Sequence, residues 1–308
     1  MGNEIQDPGT GTEFKRPTKR VINRDGSYNV IKKGGKRGFR DIFKFMIEIS
    51  WFQFFGLLFA GYIGMNLVFT LLYFMIGCEN IMGIRPDGPP AFVQTFFFSI
   101  QTFTTVGYGT LAPRGIPTQT VATVEAFIGF LSFSLATGLA YGRFSRPNSK
   151  IMFSDHVLFS NYLDGKSIKI KLANERDNVL LEVTAKMILT MDKALPNGVI
   201  EKRYFQLPLE IDRIELLPFT WTLVHKIDEE SPFWGKDKAE ICKANPEFLV
   251  LIKGFDETFS QHVHTKRSFI TSDMKWNHQF TKIFAPNDDG VIEFDINDLN
   301  NIKAEDEQ

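Results

Sequence analysis

The sequence predicts two parts: an all-α membrane domain with two spanning helices and a re-entrant helix between them, and an all-β sandwich that follows. Residues 51–77 carry no charge, and residues 118–143 carry only Glu125 before Arg143. Both stretches exceed the ~20 residues that span a bilayer. From Lys150 onward, short β-rich runs alternate with turns, which is typical of a sandwich.

Composition supports this division but identifies no partner. Of the 308 residues 44% are hydrophobic and 31 are Phe, yet the mean hydropathy is −0.10, so the apolar load is unevenly spread. The net charge of −1 combines a basic start with an acidic tail at 288–307. Two cysteines, Cys78 and Cys242, predict no disulfide framework. No catalytic constellation and no nucleic-acid partner are indicated, so we expect no enzyme.

The first 50 residues predict a polar segment and then an interfacial helix. Residues 1–38 form the N-terminal segment, in which residues 21–31 surround a turn at 24–26 and predict a strand that pairs later in the chain. Residues 39–50 repeat apolar side chains at helical spacing. Because the spanning stretch follows at once, we expect this amphipathic helix to lie on the membrane face. Residues 51–77 then form the outer helix of a membrane domain that reaches 147.

The stretch at 104–109 predicts a cation site made of backbone oxygens. Gly107 and Gly109 take left-handed backbone angles at little cost. Alternated with Val106 and Tyr108, they let successive carbonyls face one axis, where such oxygens replace the hydration shell of K⁺. The hydroxyl of Thr105 adds an oxygen at the inner end.

We therefore expect bound K⁺ ions, held by residues 105–108. One chain supplies one wall, so a closed ring needs four chains. The alternative is a Gly-rich turn in a soluble protein. The context argues against it, because residues 91–103 are apolar, too short to span, and lie between two spanning stretches. They predict a re-entrant helix, which is tolerated where protein or water surrounds it.

The inner helix, predicted over 118–143, contains one carboxylate. Glu125 has two interpretations: a buttress behind the cation site, which we favour, or an ion site facing the pore. Basic residues at 32–44 precede the outer helix, and Arg143, Arg146 and Lys150 follow the inner one. The positive-inside rule then places both termini in the cytoplasm, in a multi-pass protein of the cell (inner) membrane.

The β-rich region, 148–308, is predicted to hold strands and one short helix at 236–243. The strand runs are 151–160, 167–172, 179–191, 199–209, 221–225, 247–252, 258–263, 268–271 and 291–294. His262 and His264 form an H-x-H pair. A metal site needs more ligands, so we interpret the pair as structural, with pH sensing as the alternative.

The chain resembles potassium channels at T-x-x-T-V-G-Y-G, residues 102–109. It resembles the bacterial inward rectifier family in particular through several further segments, namely 50–51, 140–147, 153–154, 164–166, 172–176 and 259–264. The resemblance implies a voltage-independent, passive K⁺ channel: a homotetramer whose two-helix pore domain is followed by a cytoplasmic, immunoglobulin-like sandwich that extends the pore. It also supports the buttress interpretation of Glu125.

Several roles follow from that resemblance by position. Tyr141 and Phe133 would form the gate at the inner-helix bundle crossing, with packing or lipid-facing roles as the alternative, and Gly138 a flexible point or a close helix approach. Glu182 and Glu257 match cation positions in the cytoplasmic pore. Strong rectifiers carry an acid where Phe133 stands, so block by Mg²⁺ or polyamines should be weak.

The chain departs from the family pattern at two positions, and the resemblance also implies a lipid site. Gln101 stands where a Glu often occurs, and Thr110 after the filter carries no charge, so the mouth differs electrostatically from that of many relatives. Arg143, Arg146 and Lys150 lie at membrane level. The family implies that anionic lipids, phosphoinositides above all, regulate gating through such residues and tend to inhibit bacterial members. Ordinary positive-inside charge is the alternative.

Two other classes of protein compete with a channel. A potassium transporter subunit uses several degenerate filter loops per chain, whereas this chain has one complete motif. A membrane-tethered sensor would carry its function in the β-domain, but it would leave the complete motif at 102–109 unexplained.

Overall fold

A computed structural model describes residues 4–9, 11–14, 20–31, 33–34, 39–145, 150–195 and 200–305. The chain divides into two compact units. One is helical and covers 34–146, and the other is β-rich and combines 1–33 with 147–308.

Four helices build the helical unit: α1 (Phe39–Glu48), α2 (Trp51–Ile76), α3 (Ala91–Phe103) and α4 (Ile116–Phe144). Helices α2 and α4 are long and apolar enough to cross a membrane. Helix α4 begins two residues before the predicted 118, because Pro117 fits its first turn and Gly115 takes a φ of 79° just before it. It also ends one residue later, at Phe144.

A capping box separates the first two helices. The Ser50 hydroxyl accepts from the Gln53 N–H at 3.2 Å, and the Gln53 side chain accepts from the Ser50 N–H at 3.1 Å. This reciprocal pair satisfies two of the donors that a helix N-terminus leaves open. Helix α1 therefore ends at Glu48, and α2 starts as a separate helix at Trp51.

The strands, in chain order, are short at the N-terminus and long in the β-rich unit. They are β1 (Glu4–Ile5), β2 (Glu13–Phe14), β3 (Ile81–Met82), β4 (Ala112–Pro113), β5 (Ile151–Phe153), β6 (Val157–Tyr162), β7 (Gly165–Asn174), β8 (Leu180–Ala194), β9 (Ile200–Leu207), β10 (Arg213–Leu217), β11 (Thr220–Ile227), β12 (Glu247–Asp256), β13 (Gln261–Ile270), β14 (Met274–Trp276), β15 (His278–Phe280), β16 (Phe284–Pro286), β17 (Ile292–Phe294) and β18 (Ile302–Ala304). A fifth helix, α5 (Lys238–Lys243), precedes β12 and starts two residues after the predicted 236.

Two sheets enclose the main core of the β-rich unit. The larger has the order β1-β9-β8-β12-β13, with β10 on β8 and β2 on β9. The smaller has the order β11-β7-β6-β14, with β5 on β7. Alternate residues of both sheets point inward, and one buried cluster joins them, including Ile170 and Leu172 of β7, Met187 of β8 and Phe248 of β12. This two-sided burial is the arrangement of a sandwich.

Three strand predictions were wrong. The run 151–160 is two strands, β5 and β6, with residues 154–156 between them. The runs 258–263 and 268–271 belong to one strand, β13, which pairs with β12 without a break from Gln261 to Ile270. The residues between them are polar on both faces of the strand: His264 is exposed, whereas Arg267 is buried and donates to the Phe153 carbonyl at 2.9 Å. Residues 21–31 form no strand: the described part holds a single bridge, between Ile22 and Tyr28, around the turn. Side chains dock this segment instead, with Arg20 and Arg24 both 2.6 Å from the buried Asp273.

Strand β11 contains a buried histidine, His225. The Nδ1 atom of His225 is 2.7 Å from the Pro208 carbonyl, and Nε2 is 2.9 Å from the Ser231 hydroxyl. Burial lowers the pKa of His225, and the contact with the Pro208 carbonyl offsets this only in part. The ring is therefore held neutral, as a donor to the carbonyl and an acceptor from the hydroxyl.

This depressed pKa predicts a pH-dependent stability. The contribution is complete above the ordinary His pKa of ~6.5 and is lost as the pH falls below it, because the unfolded chain then binds the proton more readily. The loss sets in between about pH 6.5 and 5.5, where the unfolded chain begins to bind a proton that the folded chain takes up less readily. We expect the thermal-denaturation advantage of the wild type over His225→Gln, measured in detergent, to shrink over this range. Parallel pH profiles of the two proteins would contradict the assignment.

Candidate functional site

The backbone after α3 alternates in handedness. Thr105, Gly107 and Gly109 have φ angles of 58°, 52° and 82°, whereas Val106 and Tyr108 between them do not take positive values. Such alternation turns successive peptide planes so that their carbonyl oxygens align on one side, as in a K⁺ filter. The left-handed Thr105 was not predicted. It is costly for a β-branched residue, by about 1–3 kcal/mol, and such strain concentrates at functional positions.

The amide groups of this segment are bound to the end of α3. The Thr105 N–H donates to the Thr102 carbonyl at 3.0 Å, and the N–H groups of Val106 and Gly107 donate to the Gln101 carbonyl at 3.0 and 3.3 Å. Within the described residues, the carbonyls of 105–108 accept no hydrogen bond. The segment is also exposed. The N–H groups of 105–107 are thus hydrogen-bonded within the chain, whereas the carbonyl oxygens of 105–108 remain open to a cation.

A buried polar network connects all three long helices of the unit. Glu125 of α4 is fully buried and accepts from the Tyr73 hydroxyl of α2 at 2.6 Å and from the Ser99 hydroxyl of α3. The Ser99 hydroxyl also lies 3.1 Å from the Asn66 side chain of α2. A buried carboxylate needs such partners, because an unpaired one is strongly penalised. The structure thus places Glu125 between the three helices, and its bond to α3 is at Ser99, one turn before that helix ends at Phe103.

Gly129 of α4 touches the backbone at the end of α3. A Cβ atom there would lie 1.9 Å from the Phe103 carbonyl oxygen, which no side chain can accommodate. Gly138, the predicted flexible point, has no heavy atom within 4 Å of its Cβ position. Close packing in this subunit therefore requires a glycine at 129 but not at 138. The sequence pattern did not single out 129, since small residues occur along the whole helix.

Two aromatic side chains of α4 project away from the subunit. Phe133 and Tyr141 are 75% and 73% exposed, so neither packs within its own chain. They lie eight residues apart, about two helical turns. Their surroundings are therefore set by whatever faces α4 outside the subunit.

Arg143 links the end of α4 to the junction of α1 and α2. Its guanidinium donates to the Met46 carbonyl at 2.5 Å and to the Ile49 carbonyl at 2.6 Å. It also lies over the rings of Trp51 and Phe54, 4.6 and 4.7 Å from their centroids. This placement matches the preference of cations for helix C-termini and aromatic faces. The other two residues of the predicted lipid site are not seen beside Arg143. Lys150 forms an ion pair with Glu175 at 3.5 Å, and Arg146 lies outside the described residues.

The two predicted cation positions of the β-rich unit lie near one end of the large sheet. Glu182 is exposed and takes a left-handed φ of 47° at an irregularity of β8, where the register with β12 shifts. Glu257 is exposed in the turn after β12, whose last residue, Asp256, pairs with Leu180 of β8. Arg213 lies 4.0 Å from Glu182, so its carboxylate is partly compensated. Across the described residues, no group of three or more His, Cys, Asp and Glu side chains could hold a metal ion.

These features define a class of protein. Two membrane-length helices flank a short helix, which ends in a row of open backbone carbonyls with alternating backbone handedness. That combination is typical of pore-loop potassium channels, in which the oxygens substitute for water around the ion.

Comparison with known proteins identifies the family. Residues 151–306 match the family model described as inward rectifier potassium channel C-terminal domain, and residues 61–145 match the model described as ion channel. The chain is 32% identical to the inward rectifier potassium channel Kirbac3.1 of Paramagnetospirillum magnetotacticum, with 92% of this chain and 95% of that protein covered. The chain therefore belongs to the inward rectifier potassium channel family.

More distant relatives agree. The G protein-activated inward rectifier potassium channel 2 of Mus musculus is 26% identical, covering 92% of this chain and 71% of its own length. The corresponding channel 4 of Bos taurus is 23% identical, covering 93% and 73%. With the two apolar helices and the two-sheet unit, these matches confirm the predicted fold class, and the protein is a membrane potassium channel rather than an enzyme.

The contrast between the two glycines predicts unequal tolerance. Gly129→Ala should destabilise the protein by about 3 kcal/mol, because the methyl group must displace the Phe103 carbonyl. Gly138→Ala is the matched control. It should change stability by less than about 1 kcal/mol, since Ala has the higher helix propensity. Thermal denaturation of the purified variants in detergent compares them, and equal midpoints would contradict the close approach at 129.

Proposed function

We propose that four copies of this chain form one pore, in which K⁺ passes down its gradient through a ring of backbone oxygens. The open carbonyl row at 105–108 is the observation that supports this proposal. A single row covers one side of an ion, and replacing a hydration shell needs oxygens all round it. The Thr105 hydroxyl would supply a further oxygen at the inner end.

Glu125 serves as a buttress in this proposal. Its carboxylate ties α4 to α2 and α3 through the Tyr73 and Ser99 hydroxyls, so the helix that carries the filter is held from behind. The competing role, an ion site in the pore, is disfavoured by its complete burial within the subunit.

The gate is proposed at Tyr141 and Phe133. In a fourfold assembly, exposed rings on α4 can surround the axis and close it by dewetting. Gly138 lies between them in sequence and packs against nothing in its own subunit, so a bend there meets no steric obstacle. Glu182 and Glu257 are proposed cation positions in a cytoplasmic extension of the pore. With Phe133 in place of an acid, we expect block by Mg²⁺ or polyamines to be weak.

The chain is proposed to lie in the cell membrane with both termini in the cytoplasm. Basic residues precede α2 and follow α4, as the positive-inside rule requires. Helix α1 is proposed at the membrane face, because Ile42, Phe43 and Phe45 are more than half exposed.

Two other functions have less support. A transporter subunit needs several filter segments per chain, and this sequence has one. A membrane-tethered sensor would not need the strained Thr105 or the alternating glycines.

Rubidium uptake into liposomes tests conduction. Vesicles loaded with K⁺ should take up tracer Rb⁺, Ba²⁺ should stop the uptake, and tracer Na⁺ should not enter. Gly107→Ala should reduce uptake to background, because it strains the carbonyl row. Gly115→Ala is the matched control: its φ of 79° is also left-handed and it also has open space, but it lies outside the filter.

Two results would contradict conduction by this row. One is Na⁺ entry equal to that of Rb⁺. The other is equal loss of uptake in the two glycine variants.

Anionic lipids are proposed to regulate gating at the cytoplasmic end of α4. The Arg143 guanidinium already holds the carbonyls of Met46 and Ile49, so a lipid phosphate would compete with the contact between α4 and the end of α1. Lys150 and Arg146 supply further charge nearby in sequence. Each such cation contributes about 1 kcal/mol near an anionic surface.

This mechanism predicts a specific loss of lipid sensitivity. Phosphoinositide in the vesicles should inhibit wild-type Rb⁺ uptake, and Arg143→Gln should reduce that inhibition several-fold. Lys243→Gln removes an exposed charge from α5 and should leave it unchanged. Thermal denaturation of both variants, measured in detergent, shows whether a loss of lipid regulation comes from a loss of folding. Absence of a lipid effect on the wild type would end the proposal.

A further inference from the structure

A cavity of about 500 Å³ lies on the outer face of the large sheet of the β-rich unit. Strands β8, β12 and β13 form its floor, and the N-terminal turn at Asp25 and Gly26 forms one wall. Its volume is in the range of small-molecule sites. Nothing in the conduction proposal uses it.

Three lysines surround this floor in a defined register. Leu251 of β12 pairs with Lys186 of β8 on one side and with Lys266 of β13 on the other. Lys253, two residues further along β12, is the diagonal neighbour of both. Diagonal neighbours lie about 7–8 Å apart on one face of a sheet. The three side chains therefore rise from one small patch, with exposed Leu251 between them.

This positive charge has little compensation. Within the described residues, Lys186 and Lys253 make no ion pair, and the Lys266 ammonium lies 3.5 Å from the centroid of the Tyr28 ring. Among the described residues that line the cavity, Asp25 is the one carboxylate, and it accepts from the Ser27 N–H and hydroxyl at 2.9 and 2.6 Å. Like charges on neighbouring strands repel one another, so the cluster costs stability unless an anion shares it.

Hydrogen bonds and an ion pair fix the N-terminal turn that forms the wall of the cavity. The Arg24 guanidinium lies 2.6 Å from the buried Asp273, and the Val21 N–H donates to the Glu247 carboxylate at 2.6 Å. The Ser268 hydroxyl donates to the Ile22 carbonyl. Gly26 then sits so close to β13 that a Cβ atom would be 2.9 Å from the Lys266 carbonyl oxygen. The cavity is thus preformed, which lowers the cost of ordering a ligand.

We propose that this cavity binds a soluble anion that carries two or more phosphate groups. Lysine ammonium groups are point-charge partners for phosphate. Because the three lysines are separated, one orthophosphate reaches them poorly, whereas a chain of phosphates can contact all three. Binding at this site is independent of conduction through the filter.

Calorimetric titration of the full-length protein in detergent with tripolyphosphate tests the proposal. We expect saturable, salt-sensitive binding that is tighter for tripolyphosphate than for pyrophosphate and weakest for orthophosphate. Lys253→Gln should weaken tripolyphosphate binding about tenfold or more, the effect of losing one charged contact. Lys253→Arg should retain most of it. Lys166→Gln, an exposed strand lysine of the smaller sheet, is the matched control and should bind as the wild type does.

In a second experiment, the protein is titrated with vesicles that contain phosphatidylinositol bisphosphate, in the absence of any soluble phosphate. If the wild type binds these vesicles, Lys253→Gln does not, and neither binds tripolyphosphate, the ligand is a lipid headgroup and the proposal of a soluble anion is overturned. Tripolyphosphate binding that depends on Lys253 identifies a soluble one. Equal weakening by Lys253→Gln and Lys166→Gln, or no binding in either arm, would overturn the proposal. Rubidium uptake, measured in parallel, reports on the filter separately.

Discussion

The architecture of the helical unit depends on where the amide hydrogens of 105–107 go. They turn back onto the carbonyls of Thr102 and Gln101 at the end of α3, which leaves the oxygens of the next residues unused. Backbone acceptors that lack a partner are costly away from water. In the proposed pore a dehydrated K⁺ ion would offset that cost, so the selectivity and the stability of this segment would have the same origin.

The surrounding helices keep that arrangement in place by two different means. Glu125 fixes α3 through hydroxyl partners on α2 and α3, a directional restraint. Gly129 lets α4 approach the Phe103 carbonyl, a steric one. At the other end of α4, Arg143 binds the carbonyls that end α1. One helix, α4, thus contacts both the end of α3 and the end of α1. A movement of α4 would be felt at both.

How much the sequence predicted depends on the type of signal. Long uncharged stretches predicted the two membrane-length helices, and the T-V-G-Y-G run predicted the left-handed Gly107 and Gly109, because hydrocarbon thickness and backbone handedness constrain residue choice directly. The left-handed Thr105 escaped prediction, since a β-branched residue is the least expected in that conformation. Gly129 escaped because its requirement comes from the Phe103 backbone, which is close in space and 26 positions away in sequence. The prediction of two strands in place of β13 was wrong because the polar residues in the middle of this strand resemble a loop in sequence.

The central claim is that oxygens of residues 105–108 from four identical chains enclose the ion. Anomalous diffraction from crystals soaked in Tl⁺, a heavy substitute for K⁺, measures this directly. The account predicts a row of Tl⁺ peaks on a fourfold axis, level with these carbonyls. Ordered filter segments with no peak between them, or peaks bound to side chains elsewhere, would contradict it.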